Sequence, residues 1–164
     1  MIINCFYGGP GSGKSTMAAS KYTDAKIRQV NCELVGEYVK QWAWENRKPV
    51  SLDQFYFFAK QSRKEYSLIG KVDEIFTDSP VSITAYYAKV IGSREQSLLF
   101  KEMYRFYEKS MTDVGCVFRH IWVKRGNHPY NPNGRYHTEK EALAIDIDMR
   151  SFLNEELGII LQDV

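Results

Sequence analysis

Eight residues near the start constrain this chain more than any other feature. Gly8, Gly9, Pro10, Gly11, Ser12, Gly13, Lys14 and Ser15 spell G-x-x-x-x-G-K-S between an apolar run, Ile2 to Tyr7, and a helical stretch from Lys14 to about Thr23. Glycines lack the Cβ that would keep a backbone from folding around phosphate oxygens, so successive N–H groups can point inward as donors. The following helix aims its positive end at the same place. Lys14 can bridge β- and γ-phosphates as a point charge, and the Ser15 hydroxyl is the expected magnesium ligand, with Thr16 a neighbouring polar contact. A bare flexible turn would need neither the strand nor the helix. ATP and Mg²⁺ are therefore the expected cofactors.

Short apolar runs then alternate with longer helical stretches, without repeats or linkers, which predicts an α/β layered sheet. Strands are expected at Val30 to Gly36, Glu74 to Asp78, Val117 to Lys124 and Ile159 to Leu161. Helices are expected from Glu37 to Ala43, after a capping box at Ser51-Leu52-Asp53-Gln54, after Pro80, from about Arg94 to Lys109, and from a second capping box, Thr138 to Glu141, to about Leu157. A length of 164 residues fits one domain, 1–164. No apolar run reaches the roughly eighteen residues of a spanning helix, and Met1 to Tyr7 lacks a basic segment and a cleavage site, so a cytoplasmic protein without a membrane partner is expected. The formal charge is +2, from 22 Lys plus Arg against 20 Asp plus Glu, a field too weak to gather polyanions non-specifically. Cys5, Cys32 and Cys116 show no metal spacing and read as buried reduced thiols. No G-x-G-x-x-G frame is complete, which removes dinucleotide redox chemistry.

Asp78 ends the third predicted strand, where a parallel sheet delivers side chains to its ligand crevice, and it would orient Mg²⁺ or cap the next helix, two duties that can coexist. Ser79 follows where ATPase motors commonly place a Glu, and no Asn-Lys-x-Asp guanine-reading string occurs. Phosphoryl transfer to an acceptor other than water remains. Glu37, at the end of the second strand, could take a proton from an acceptor hydroxyl or simply favour a helix N-terminus. Tyr38, Phe58, Gln61 and Arg63 are candidates for holding the acceptor: aromatic faces for a base, an amide for its edge and a guanidinium for a phosphate, although most aromatics here must be core. The loop at about 125–138 is rich in Gly, Pro and Asn and carries Arg125 and Arg135. It reads as a lid bringing guanidinium charge to the phosphates, Arg135 first and Arg125 second, or as a solvated surface loop. His120, His128 and His137 lack metal spacing, and Asp146, Asp148 and Arg150 read as an exposed ion-pair face.

The ordered set Gly8 to Thr16, Glu33-Leu-Val-Gly-Glu37-Tyr38, Gln61 with Arg63, Thr77-Asp78-Ser79-Pro80, Gly134-Arg135 and Ile145-Asp146 resembles a group of bacteriophage P-loop kinases, similar to thymidylate kinase-type nucleotide kinases and to ribosylnicotinamide kinases. The resemblance implies a three-layer P-loop NTPase fold: a five-stranded parallel sheet, the phosphate strand central, with helices on both faces and a lid loop. It also implies an ATP-dependent kinase whose partner is a nucleoside, nucleotide or modified-DNA acceptor, including the 5-hydroxymethyluracil of phage DNA, with a homodimer among the assemblies to consider. The Asp-Arg pair that cellular thymidylate kinases carry after the third strand is replaced by Ser79 and Pro80. The alternative function is a P-loop ATPase or nucleotide-binding accessory protein without a small-molecule acceptor.

Overall fold

The computed structural model describes residues 1–164. Ile2–Tyr7 forms β1, buried from Ile3 onward, as a central parallel strand must be when both faces are covered. Alternation along β1 sends Ile3, Cys5 and Tyr7 into the larger of two apolar cores and Phe6 into the smaller. The order of elements is β1, α1 (Lys14–Ile27), β2 (Cys32–Val35), α2 (Lys40–Trp44), α3 (Asp53–Tyr66), β3 (Glu74–Thr77), α4 (Ser82–Ile91), α5 (Arg94–Asp113), β4 (Val117–Trp122), α6 (Glu139–Ser151), a π-helical turn at Phe152–Glu156 and β5 (Gln162–Asp163). The strands lie in the order β2-β3-β1-β4-β5, all parallel. This is the five-stranded α/β sheet expected from the sequence, with β1 in the middle.

Helix α1 covers one face through Ala18 and Ala25, which pack on Phe6, Phe76 and Val123. The other face lies under α3 to α6, whose Tyr86, Phe100, Tyr104, Ile145 and Phe152 fill the large core. The π turn after α6 places consecutive residues, Phe152 and Leu153, into that core. All three cysteines are buried and unpaired, as expected.

Several expected boundaries move for identifiable reasons. The helix expected from Glu37 starts instead at Lys40, and the Glu37 N–H is taken by the Asp78 carboxylate at 2.9 Å. The capping box at Ser51 does not form: α3 has Leu52 at its N-cap, Asp53 turns back to accept the Val50 N–H at 2.8 Å, and Gln54 is buried. The second box does form, with Thr138 and Glu141 each accepting the other's backbone N–H. The last strand lies at Gln162–Asp163 rather than at Ile159, which is buried in the large core and donates its N–H to Leu153 O.

Candidate active site

Because the strands are parallel and β1 lies between β3 and β4, the turns leaving β1, β2 and β3 open at one edge of the sheet. The phosphate loop leaves β1 there. Gly8, Gly11 and Gly13 have φ of 143°, 78° and 100°, a region side-chain-bearing residues rarely enter. Helix α1 has no side-chain cap, so its first N–H groups stay available to an anion. Ser12 Oγ is buried without a hydrogen-bond partner at the same turn. These features fit a bound phosphate.

Beside the loop is a cleft of about 540 Å³. Of the residues singled out in the sequence, Gly8, Pro10, Gly11, Gly13, Lys14, Ser15, Thr16, Glu37, Tyr38, Gln61 and Arg135 line it. Gly9 and Ser12 are buried behind its wall. Asp78 is 7% exposed and stands behind Glu37, its Oδ1 holding the Glu37 N–H. That bond ties the ends of β2 and β3 together, a consequence of their adjacency in the sheet.

The charges in the cleft oppose one another. Burial pushes the Glu37 carboxyl above the usual carboxylate range, with Asp78 adding to it while Lys14, Lys40 and Arg135 oppose. Burial lowers Lys14, which Glu37, Asp78 and Asp146 partly restore. Lys14 Nζ donates to Gly9 O at 3.0 Å. No cluster of three or more His, Cys, Asp or Glu side chains is placed to hold a metal. The set present, Ser15 at the cleft with Asp78 behind it, suits Mg²⁺, which typically takes one or two protein ligands and fills its shell with water and phosphate oxygens.

Three expected site residues lie elsewhere. Phe58 turns from the cleft toward α5, its ring 6.1 Å from Phe100 and 6.3 Å from Tyr107. Arg63 is exposed, and its Nη1 donates to the Tyr66 hydroxyl at 2.7 Å. Arg125 does not line the cleft: its Nε and Nη2 meet Asp146 Oδ2 at 2.8 and 2.7 Å, and Nη2 donates to Pro10 O at 3.0 Å. The face of α3 that lines the cleft is Gln54, Phe57 and Gln61, spaced by three and four residues. Trp42 packs edge-on against Phe57 at 4.8 Å and is covered by the Arg47 guanidinium at 3.6 Å.

Asp146 was expected on an exposed face, yet it grips the phosphate loop from outside. Its Oδ1 accepts the Gly9 N–H at 2.5 Å while Oδ2 holds Arg125. The approach is so close that a Cβ on Gly9 would stand 2.6 Å from Oδ1 and 2.7 Å from Ala142 O. The sequence signals were its place in the set that carries the kinase resemblance and its position, four residues after buried Ala142 and next to buried Ile145. The loop at about 125–138 is docked: Tyr136 donates to Arg47 O at 2.7 Å, and a Cβ on Gly134 would meet the Trp44 ring at 2.7 Å. Its Arg135 lies over the Tyr130 ring at 5.1 Å, and Nη1 stands 2.5 Å from where a Gly11 Cβ would be.

No protein-family model and no curated protein matches the chain. Solved structures do. A deoxyadenosine kinase from M. mycoides, with the products dCMP and dCDP bound, superposes with a TM-score of 0.57 at 13% identity, covering 100% of this chain and 90% of the kinase. The same kinase with bound dATP gives 0.48 at 11% identity, over 100% of this chain and 90% of that one. The Mycobacterium tuberculosis APS kinase CysC gives 0.44 at 16%, over 91% of this chain and 96% of that one. The first of these shares this chain's fold, a five-stranded parallel α/β sheet with a glycine-rich turn after its central strand. No helix is long and apolar enough to cross a membrane.

Proposed function

We propose that this protein is an ATP-dependent kinase that transfers the γ-phosphoryl group to a hydroxyl of a nucleoside, nucleotide or nucleobase. The observation that carries the proposal is the position of Glu37: it lines one cleft together with the phosphate loop and with the aromatic and amide groups of α3, and its backbone is pinned by Asp78. The cleft volume of about 540 Å³ lies in the range of small-molecule sites, and Tyr38, Phe57, Gln54 and Gln61 give it stacking faces with amides to read an edge.

In the reaction, the acceptor oxygen forms a bond to the γ-phosphorus while the bond from that phosphorus to the β–γ bridging oxygen breaks, leaving ADP. Glu37 takes the proton released by the acceptor hydroxyl, a role its raised affinity for protons suits. Lys14 and Arg135 offer fixed positive charge to the transferring group. Ser15 and Asp78 would hold Mg²⁺, which supplies charge neutralisation at the phosphates when bound. The Tyr136 and Gly134 contacts keep the loop over the cleft and restrict water. The single domain 1–164 and an intracellular setting belong to the same proposal.

Among acceptors, the hydroxymethyl group of 5-hydroxymethyluracil in DNA is a specific candidate. A base taken out of the helix stack needs an aromatic pocket, and Lys40 and Lys48 line the same cleft as sites for a DNA phosphate. Incubating the protein with γ-labelled ATP and a panel of nucleosides, monophosphates and oligonucleotides tests the proposal. Label is expected in at least one acceptor with wild type and in none with Lys14→Ala. ATP hydrolysis at a rate no acceptor alters, with no labelled product, would overturn it.

A further inference from the structure

Helix α3 carries one more polar side chain under the cleft that phosphoryl transfer does not use. Glu65 follows Gln61 by one helical turn and is 1% exposed. Its Oε2 accepts the Tyr107 hydroxyl at 2.5 Å, whereas Oε1 is buried without a partner. Gln61, which lines the cleft, has the same defect: Nε2 donates a long 3.4 Å bond to Thr77 Oγ1, and Oε1 is buried without a partner. Protein interiors rarely leave an acceptor without a donor, and here two stand one turn apart.

Resting on the kinase proposal above, we infer that Glu65 is a positioning residue that selects which end of the Gln61 amide is offered to the acceptor base. An ionised carboxylate only accepts hydrogen bonds, so it draws the Tyr107 hydroxyl, the Gln61 NH₂ and the Thr77 hydroxyl toward itself. The Gln61 carbonyl is then left for an N–H on the ligand. A neutral carboxyl has one O–H to donate, and Gln61, one turn away on the same helix, has in Oε1 an acceptor that lacks a donor. The amide turns over, and its NH₂ is left for a carbonyl oxygen on the ligand.

The first state suits bases with an exocyclic amine, such as cytosine, and the second suits bases with a carbonyl there, such as thymine. Burial raises Glu65 to about 7, so both states are populated near neutral pH. The groups that face it from other elements are Cys5 and Tyr7 on β1, Thr77 on β3, and Tyr104 and Tyr107 on α5. Glu108 on α5 acts on Cys5, and His120 on β4 bonds to Tyr7 and pairs with Glu108. No cation pairs directly with the Glu65 carboxylate to hold it ionised.

The test compares deoxycytidine with thymidine from pH 6 to 8.5, by kcat/KM and, without ATP, by calorimetric binding. The wild-type preference for deoxycytidine is expected to rise about tenfold through one titration near pH 7. Glu65→Gln should flatten that profile, and Tyr107→Phe, which removes a donor to the ionised form, should move its midpoint up by about one pH unit. A flat wild-type ratio, a titration that survives in Glu65→Gln, or no binding of either nucleoside overturns the inference. Phosphorylation with a flat ratio leaves the kinase proposal standing, whereas a titrating binding ratio without any phosphorylation supports the switch and removes the kinase.

Discussion

Replacing Asp146 by alanine separates two accounts of how the phosphate loop keeps its shape. Glycines alone make a loop permissive, and permissiveness does not hold one conformation. In this structure the holding is done from outside by one carboxylate, which takes the N–H of buried Gly9 and the guanidinium of Arg125. The Arg125 and Asp146 side chains are 17% and 19% exposed, so both charges are largely removed from water. Losing a hydrogen bond to a charged acceptor costs about 1.5 to 3 kcal/mol. Removing one partner of a buried ion pair costs about 3 to 5 kcal/mol, at the low end or below here because Arg125 keeps Pro10 O and some water. These two figures overlap, and about 3 kcal/mol is the expected total. For a chain of this length that lowers Tm by about 6 to 12 °C. Asp146→Asn keeps an acceptor for Gly9 and loses only the charge, so roughly half that shift is expected. Thermal unfolding reads the stability, and calorimetric titration with ATP should show affinity about tenfold weaker in Asp146→Ala. A Tm change under about 1 °C for alanine, or equal shifts for alanine and asparagine with unaltered ATP affinity, would refute the clamp.

Glu37→Gln is expected to reduce kcat by about 10²- to 10⁴-fold with little change in ATP affinity. Because a base works ionised and burial raises its pKa, wild-type kcat should climb with pH through that raised value and fall below it, and the variant should lose this limb. A variant as fast as wild type removes Glu37 from the chemistry. Arg135→Ala, at the cleft, should lower kcat by about 10²- to 10³-fold, whereas Arg125→Ala should act on Tm and ATP binding; steady-state kinetics giving the two the same profile would contradict the geometry. Glu65 sits at about 7 when folded against an ordinary 4.5, so the folded chain binds its proton more tightly and stability is lost as pH rises from about 4.5 to 7. The loss is about 3 kcal/mol. Urea unfolding should therefore show Glu65→Gln gaining about that much on wild type between pH 4 and pH 8, and a pH-independent difference would refute it.

The phosphate loop, the alternating layers and the Thr138 capping box were legible because each is a local pattern, with its cause in residues a few positions apart. The sheet order and the partners of the site residues have no such local cause. Helix α3 shows the difference: the Ser51 to Gln54 segment announced a helix, though not by the cap that forms, and whether Phe57 or Phe58 met the cleft depended on where α5 came to rest against it. Arg63 looked like an anion site and is a surface residue bonded to Tyr66, since nothing in its own neighbourhood reports the direction of the cleft.

From its sequence alone, then, this chain determined that a glycine-rich turn with free helix N–H groups follows the first strand and that the class is α/β, because backbone freedom and hydrophobic period act over short spans. The tertiary structure decided that Asp78 holds Glu37, that Asp146 and Arg125 clamp the loop from behind, and that Gln61 rests above Glu65 in the core. The Asp78–Glu37 and Asp146–Arg125 contacts join residues 41 and 21 positions apart, and they exist only once strand order and helix packing have placed their side chains together.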